Sequence, residues 1–513
     1  MIPAYEVRGR LLGLTAVAFV TLCIFSLSAW VWSRHAANLK ELATDRFSLP
    51  YLLTLLVLLY FFLVTARAAH EPQYALFLTG RAQEAIFLRK WEMLIAPLVA
   101  LATMGVGYYQ QPWQIPLSLV SWLAALWAIY GVVKDITGAW LRPIKRENYF
   151  LLEPGKPDSH VAFLPKEPMN KTPEGYRVVS PTWGGRLICV PTSTDWNVVH
   201  GFLCSEIVNQ AFQDKNSVLS KKSLKILDKS YELPSTLEKY AEIALIHTRA
   251  KGGLLHNEQK IRLRSDPFKL LENKSNLVEV QKTSYYLSVC TNELSRFEIT
   301  GLDAPDKDGF VMFDFVRKKN TGEMIGLDHS ELSNHMGGST LAITHDGKIL
   351  LVKQGRLTVV SSGLLAPSGS GSFDWNDRQA ASGNFTRLIR TALERELMEE
   401  CGLDPQDISE TILLGMGRDL ARGGKPDFFG VTLLNRNEGK FEPTVKIAEV
   451  GFVDFHDHIE LSCLTADALK SQLNSWINQN AHRCSSALIV NLKLLINANP
   501  EVFKAILSHI GSC

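Results

Sequence analysis

Three glutamates crowd into one short stretch of the sequence, RELMEECGL at residues 395–403. On a helix, positions three and four apart face the same side, so Glu396, Glu399 and Glu400 would project within about 100° of arc. Like charges this close cost free energy unless a cation neutralises them, and carboxylate oxygens suit Mg²⁺ or Mn²⁺. The stretch therefore predicts a metal-binding edge, and a solvated acidic helix face is the alternative.

The neighbouring residues predict the helix that carries this edge, from about 385 to 401. Gly402 supplies the left-handed residue that commonly ends a helix. Apolar residues that would anchor the helix on a sheet recur every four positions beside the glutamates: Ile389, Leu393, Leu397 and Cys401.

Strands are predicted both before and after this helix in the sequence. In GGSTLAITHDGKILLVKQ (337–354), apolar runs flank Asp346-Gly347, which is a strong two-residue hairpin signal. Further strands are predicted at 428–435 and 448–455, and helices from about 464 to the end. Strands and helices mixed in this way predict an α/β part.

The order of residues in RELMEECGL resembles the second half of the Nudix box, G-x5-E-x7-R-E-U-x-E-E-x-G-U, in which U is aliphatic. The first half of the box does not match, because its glutamate falls on Arg387 and its glycine on Ala381. The resemblance covers about 285–460 and implies a Nudix-type α/β/α sandwich. Every specified position of the second half is matched, by Arg395, Glu396, Leu397, Glu399, Glu400, Gly402 and Leu403.

This resemblance implies that Glu396, Glu399 and Glu400 bind Mg²⁺ or Mn²⁺ and take part in catalysis, with Arg395 orienting the helix. The family commonly draws another metal-binding carboxylate from a later loop. The candidate for it is Glu449, and Glu442 and Asp427 are its rivals. The implied activity is that of a Nudix-type pyrophosphohydrolase, which cleaves the diphosphate anhydride of a nucleoside-diphosphate-type small molecule.

The glycine-rich stretch before the helix is the predicted substrate-binding segment. Gly369 and Gly371 would let the backbone approach a phosphate closely. Asp374 is a further substrate-binding candidate. For Asp374 and Asp377 a role in a turn or a helix cap is the alternative.

The rest of the chain is divided by its charge. A chain of 513 residues with a formal net charge of +2 is neither a nucleic-acid coat nor wholly disordered, and no double-stranded nucleic-acid partner is expected. Three segments carry no charge: 11–33, 47–66 and 93–133. A polar turn at 110–116 divides the last one, so four membrane-spanning helices are predicted.

The positions of lysine and arginine around these spans place both termini on the cytoplasmic side of a bacterial inner membrane. The eight cysteines show neither a CxxC pair nor zinc-like spacing, so free thiols are expected. The predicted fold class is a four-helix transmembrane region followed by a soluble α/β part with a C-terminal Nudix-type α/β/α sandwich. Its domains are a four-span transmembrane domain (1–140), a basic middle domain (141–284), a Nudix hydrolase domain (285–460) and C-terminal helices (461–513).

This domain order resembles the transmembrane Nudix effectors of bacterial CBASS anti-phage systems. The resemblance implies an antiviral defence effector that is activated by a cyclic oligonucleotide and that acts at a lipid bilayer, in a homo-oligomer. A solvated basic face near lipid head groups is the alternative for the middle domain. The residues chosen to probe activator binding are Lys221, Lys222, Lys260, Arg262 and Arg264.

Two other functions stay open. One is a membrane-anchored nucleotide hydrolase with a metabolic role. The other is a non-catalytic, Nudix-shaped nucleotide sensor that gates a membrane-disrupting four-helix domain, an idea motivated by Arg387 at the position where the box has a glutamate.

Overall fold

The computed structural model describes the chain downstream of residue 149, with gaps. All described residues belong to the unit formed by 147–253 and 257–513. The four predicted membrane spans lie outside the described residues. These residues are 150–151, 172–179, 187–238, 240–241, 244, 257–295, 298–300, 310–436 and 453–510, except 273–274, 356–360, 362 and 463–464.

The elements of this part are numbered in chain order. The strands are β1 (Phe150–Leu151), β2 (Tyr176–Val179), β3 (Ile188–Pro191), β4 (Asn197–Val199), β5 (Phe202–Cys204), β6 (Ser223–Ile226), β7 (Gln259–Leu263), β8 (Leu277–Ser284), β9 (Glu298–Thr300), β10 (Phe310–Val311), β11 (Gly337–Ile343), β12 (Lys348–Gln354), β13 (Leu365–Pro367), β14 (Gly369–Ser372), β15 (Ile408–Asp419), β16 (Lys425–Leu434) and β17 (Val453–Glu460). The helices are α1 (Glu206–Gln213), α2 (Ser235–Glu238), α3 (Tyr285–Val289), α4 (Asp377–Ala380), α5 (Phe385–Cys401), α6 (Ala466–Asn480), α7 (Ser486–Ile496) and α8 (Pro500–Ile510).

The largest sheet among the described residues has nine strands in the order β13-β12-β11-β16-β15-β5-β4, with β14 attached to β11 and β17 to β12. Strands β11 and β16 run parallel and begin at the same end of the sheet, with Gly337 opposite Asp427. The predicted hairpin is confirmed, since β11 and β12 are antiparallel and Gly347 between them has a φ of 79°.

The sheet curls because neighbouring strands share edges. Strand β14 pairs with β11 from Gly337 to Thr340, whereas β12 meets β11 only at Ile343. One edge of β11 is therefore divided between two strands, because β16 fills the other edge along its whole length.

The predicted fold class is wrong for the described part of the chain, which is an α/β fold with a curled sheet. Among the described residues, no helix is both long and apolar enough to cross a membrane. The physical reason for the difference in the sheet is edge sharing, which the alternation of apolar residues does not encode. Two upstream strands, β4 and β5, also extend this sheet through β15.

Helices pack against both faces of the sheet, and β11 shows how the faces alternate. Ala342 belongs to a small apolar core with Leu397 and Cys401 of α5. Leu341 and Ile343 face the opposite way, into a larger core that contains the buried residues of α6, α7 and α8. The acidic helix therefore lies on the face opposite to the C-terminal helices.

A second, three-stranded sheet comes from the predicted middle domain, with the order β6-β8-β7. Strands β6 and β8 are parallel, and β7 and β8 are antiparallel. The other edge of β7 hydrogen-bonds to Met336 and Phe373, which adjoin β11 and β14 of the large sheet.

Candidate functional site

Helix α5 begins and ends as its sequence predicts. The Asn384 side chain caps the first turn by accepting a 2.9 Å hydrogen bond from the Arg387 backbone N–H. Gly402 ends the helix in the left-handed region, with φ 64° and ψ 32°. The predicted anchors of the helix are all fully buried: Ile389, Leu393, Leu397 and Cys401.

The two glycines expected to approach a phosphate lie under this helix. A Cβ atom at Gly369 would stand 2.5 Å from the backbone N and Cα of Leu397. One at Gly371 would overlap the carboxylate of Glu396. The missing side chains of β14 therefore let α5 approach the sheet closely and bring its glutamates against this strand.

Arg395 is the centre of the hydrogen bonds around the glutamates. Its guanidinium donates two hydrogen bonds to Asp377, from Nε to Oδ1 at 2.8 Å and from Nη2 to Oδ2 at 3.1 Å. Nη1 lies 3.0 Å from Glu399 Oε2, and Nη2 lies 3.0 Å from Glu396 Oε1. Nη2 also donates to the Ser372 carbonyl at 3.1 Å. Such a planar, multiply bonded guanidinium fixes both carboxylates in place.

Two of the three glutamates are buried. Glu400 Oε2 accepts a 3.0 Å hydrogen bond from the Ser370 backbone N–H of β14. Burial raises the pKa of Glu396 to about 7, and the charges of Glu399 and Asp374 add to the rise against Arg395 and Lys260. The Glu396 carboxylate therefore lacks full compensation for its charge in this site.

Lys260 of β7 enters the same cluster from the upstream part of the chain. Its Nζ lies 2.7 Å from Glu258 Oε2 and also pairs with Asp374 Oδ1. Although burial alone would lower the pKa of Lys260, the carboxylates of Glu258, Asp374 and Glu396 hold it above its usual range. Asp374 Oδ2 in turn lies 3.7 Å from Arg395 Nη1, which links the two cations.

Backbone hydrogen bonds hold β7 at this position. Strand β7 bonds to the two chain segments that continue beyond the paired ends of β11 and β14. The Ile261 N–H donates to the Phe373 carbonyl at 3.1 Å, and the Met336 N–H donates to the Ile261 carbonyl at 2.8 Å. The upstream sheet thereby extends the β11–β14 pairing and places Lys260 in the cluster around α5.

The charges of this cluster are unbalanced. Among the described residues the cluster contains six carboxyl groups and two cations, and carboxylate oxygens are the donors that Mg²⁺ and Mn²⁺ prefer. Nevertheless, no group of three or more His, Cys, Asp or Glu side chains among the described residues is arranged as a metal centre. The Arg395 guanidinium contacts both Glu396 and Glu399. The members are the carboxylates Glu258, Asp374, Asp377, Glu396, Glu399 and Glu400 and the cations Lys260 and Arg395.

The other predicted site residues are placed as follows. Glu449 and Glu442 lie outside the described residues. Asp427 forms an ion pair with Lys425 at the start of β16. Asp377 joins Asp374 in a turn, in which the Asp374 N–H donates to Asp377 Oδ2 at 2.8 Å.

Most of the cations chosen to probe activator binding are buried or hydrogen-bonded. Lys222 is fully buried, and its ammonium donates to the Ser275 carbonyl. Arg262 is also buried, donates to the Ser330 carbonyl at 2.6 Å and lies over the Tyr231 ring. The activator itself stays a prediction.

Sequence reasoning did not place Lys260 or Glu258 beside the glutamates. Lys260 and Asp374 are 114 positions apart, and no local spacing signals a contact over that separation. The alternation of charge in Lys260, Arg262 and Arg264 is the one local signal, because it is typical of a strand with one face turned to an acidic or polar surface.

Comparison with known proteins adds little to this description. No protein-family model matches the sequence, and no curated protein matches it. One similar solved structure is the crystal structure of DR0079 from Deinococcus radiodurans, which is 15% identical. The match covers 28% of this chain and 73% of that one with a TM-score of 0.18, so it carries no argument about fold or function.

Proposed function

We propose that this chain hydrolyses the diphosphate linkage of nucleoside-diphosphate-type small molecules with a divalent metal, the reaction carried out by Nudix hydrolases. The observation that supports it is the convergence of three glutamates from α5 on Arg395 and β14, with Glu396 and Glu400 buried. A solvated acidic face would leave these carboxylates exposed and unrestrained.

The oxygen donors of these residues suit Mg²⁺ or Mn²⁺, although the side chains of the described residues are not arranged as a metal centre. Glu396, Glu399 and Glu400 supply hard oxygen donors from a single helix, and Glu396 carries charge that its neighbours do not neutralise. A Cβ atom at Gly371 would overlap the Glu396 carboxylate, so the absence of a side chain there lets this carboxylate lie against β14. These three glutamates would hold the metal.

When bound, the metal neutralises the diphosphate and lowers the pKa of a water molecule. Arg395 keeps Glu396 and Glu399 aligned through its 3.0 Å contacts to both. The Ser370 N–H holds Glu400 against β14. In the metal-free chain burial raises the pKa of Glu396 to about 7, so metal binding at this carboxylate would release a proton near neutral pH. Positioning and charge neutralisation supply most of the rate enhancement.

A panel of diphosphate-linked nucleotides, offered to the full chain with Mg²⁺ or Mn²⁺, tests this function. We expect turnover of at least one compound and a loss of about 100-fold or more in kcat for Glu400→Gln. Glu394→Gln is the matched control, because Glu394 lies on the same helix but its carboxylate interacts with Thr411 and Arg390 and not with the cluster. Its kcat should stay within about twofold of the wild-type value.

Two results would contradict the proposal: no turnover of any compound with either metal, or a Glu400→Gln variant as active as the wild type. Tight nucleotide binding without turnover would instead support the non-catalytic sensor. Repeating the assay with cyclic oligonucleotides tests the predicted defence role, since activity indifferent to all of them counts against an activated effector.

A further inference from the structure

The proposed substrate poses an electrostatic problem for this site. A diphosphate carries negative charge, and the cluster around α5 is itself rich in carboxylates. A divalent ion offsets part of the repulsion, but charge-assisted hydrogen bonds from the chain are the usual complement in phosphate recognition. The cations of the described cluster are Arg395 and Lys260.

Arg395 uses four of its five N–H donors within the chain, and Nη1, which carries the fifth, also lies 3.7 Å from Asp374 Oδ2. Its Nε is bonded to Asp377, its Nη1 to Glu399, and its Nη2 to both Asp377 and the Ser372 carbonyl. Moving the guanidinium onto a phosphate would release the glutamates that the proposed metal needs. The role of Arg395 is therefore internal.

Lys260 differs from Arg395 because its two hydrogen bonds go to Glu258 and Asp374 and not to the glutamates of α5. An ammonium has three N–H donors, and two are used, by Glu258 Oε2 and Asp374 Oδ1. No other hydrogen bond or ion pair within the described residues occupies the third. The charge of Lys260 acts on Glu396, so the ammonium stands within electrostatic reach of the proposed metal-binding edge.

Strand β7 fixes the direction of this side chain. Backbone bonds hold its residues to both Phe373 and Met336, and a bridge pairs Lys260 with Asp374. The Lys260 side chain is 8% exposed, against 19% for Arg395 and 24% for Glu399, so it lies deepest of the three.

We propose that Lys260, supplied by the upstream strand β7, binds the non-bridging oxygens of the substrate diphosphate through its remaining N–H. This inference rests on the proposed function. It makes the upstream sheet part of the substrate site and not only a neighbouring domain.

Binding measurements on the full chain separate this role from a structural one. The probes are Mn²⁺ alone, followed by electron paramagnetic resonance, and methylenediphosphonate with Mg²⁺, followed by calorimetry. Lys260→Met should weaken methylenediphosphonate binding about 10- to 100-fold, because it removes one charge-assisted hydrogen bond. Mn²⁺ affinity should stay the same or rise, because a positive charge beside the metal is lost.

Lys225→Met is the matched control, since Lys225 lies in the same small sheet and pairs with Glu279 at 2.8 Å. It should bind both probes as the wild type does. Lys260→Gln removes the charge while keeping an N–H for Asp374, and the same loss is expected from it if the methionine variant does not fold.

Unchanged methylenediphosphonate binding in the Lys260 variants would overturn this inference but not the proposed function. A parallel loss of Mn²⁺ and methylenediphosphonate binding would also overturn it, because Lys260 would then act only by arranging the carboxylates. An equal loss in Lys225→Met would show a general charge effect and overturn it too. A wild-type chain that binds neither probe would overturn the proposed metal site together with this inference.

Discussion

Glu396 is the residue on which the chemistry of the site most depends. Burial removes water from its carboxylate, and Glu399 and Asp374 add like charge. Arg395 at 3.0 Å and the charge of Lys260 oppose these effects without cancelling them. The result is a carboxyl group whose pKa is near neutral in the metal-free chain, so metal binding there is coupled to the release of a proton.

This residue should make the stability of the metal-free protein depend on pH. Its pKa rises from an ordinary 4.5 to about 7 on folding. The native state therefore holds the proton more tightly, and the contribution of Glu396 to the free energy of unfolding is present below about pH 4.5 and is lost as pH rises through about 7. Its size is on the order of 1–3 kcal/mol.

Glu396→Gln should remove this dependence. Relative to the wild type, the variant should gain thermal stability between pH 5 and pH 8 in the presence of a chelator, which thermal denaturation measures. Glu410→Gln, a change on an exposed glutamate that pairs with Lys215, should show no such trend. A difference between Glu396→Gln and wild type that stays constant with pH would contradict the expectation.

At the scale of the elements, α5 and β14 form the unit that builds the site. Gly369 meets the backbone of Leu397, whereas Gly371 meets the far end of the Glu396 side chain. Backbone cannot move without shifting the helix, but a carboxylate can rotate away. The two glycines therefore have different roles. Gly369 allows the helix to pack closely on β14, and Gly371 allows the Glu396 carboxylate to keep its position.

Alanine at each glycine should separate these effects. Gly369→Ala should lower the free energy of unfolding by about 2–4 kcal/mol, because it overpacks the contact between helix and strand. Gly371→Ala should cost less stability but weaken Mn²⁺ binding more, because Glu396 must leave its place. Chemical denaturation and Mn²⁺ titration of both variants measure the two effects. The reverse ranking on either scale would show that the helix is free to shift.

The elements also show what sequence can predict. The limits of α5 follow from local signals, the Asn384 cap and Gly402, and both were open to prediction. The β11–β12 hairpin follows from Asp346-Gly347 in the same way. Edge sharing on β11 and the arrival of β7 depend on pairings between distant segments. Local patterns do not report such pairings, and the predicted fold class was wrong there.

At the scale of the whole described unit, the upstream segment is built into the site. The Phe385 N–H donates to the Lys222 carbonyl, and the Leu224 N–H donates to the Gly383 carbonyl. Asn384, the cap of α5, also donates to the Ser220 carbonyl at 2.8 Å. The start of the acidic helix is thus held by residues 220–224, while β5 extends the large sheet through β15.

These contacts predict how fragments of the chain behave. A fragment of residues 285–513 contains α5 and all the predicted metal ligands, but it lacks β5, β7 and the segment that holds the start of the helix. Its unpaired β15 and β11–β14 edges and exposed apolar surface should prevent cooperative unfolding and promote aggregation. A fragment of residues 147–513 retains every described contact and should unfold in one cooperative transition. Thermal denaturation and gel filtration distinguish the two. If the 285–513 fragment folds cooperatively and binds Mn²⁺ as tightly as the 147–513 fragment, the site does not need the upstream sheet. The inference that β7 is part of the site would then be wrong.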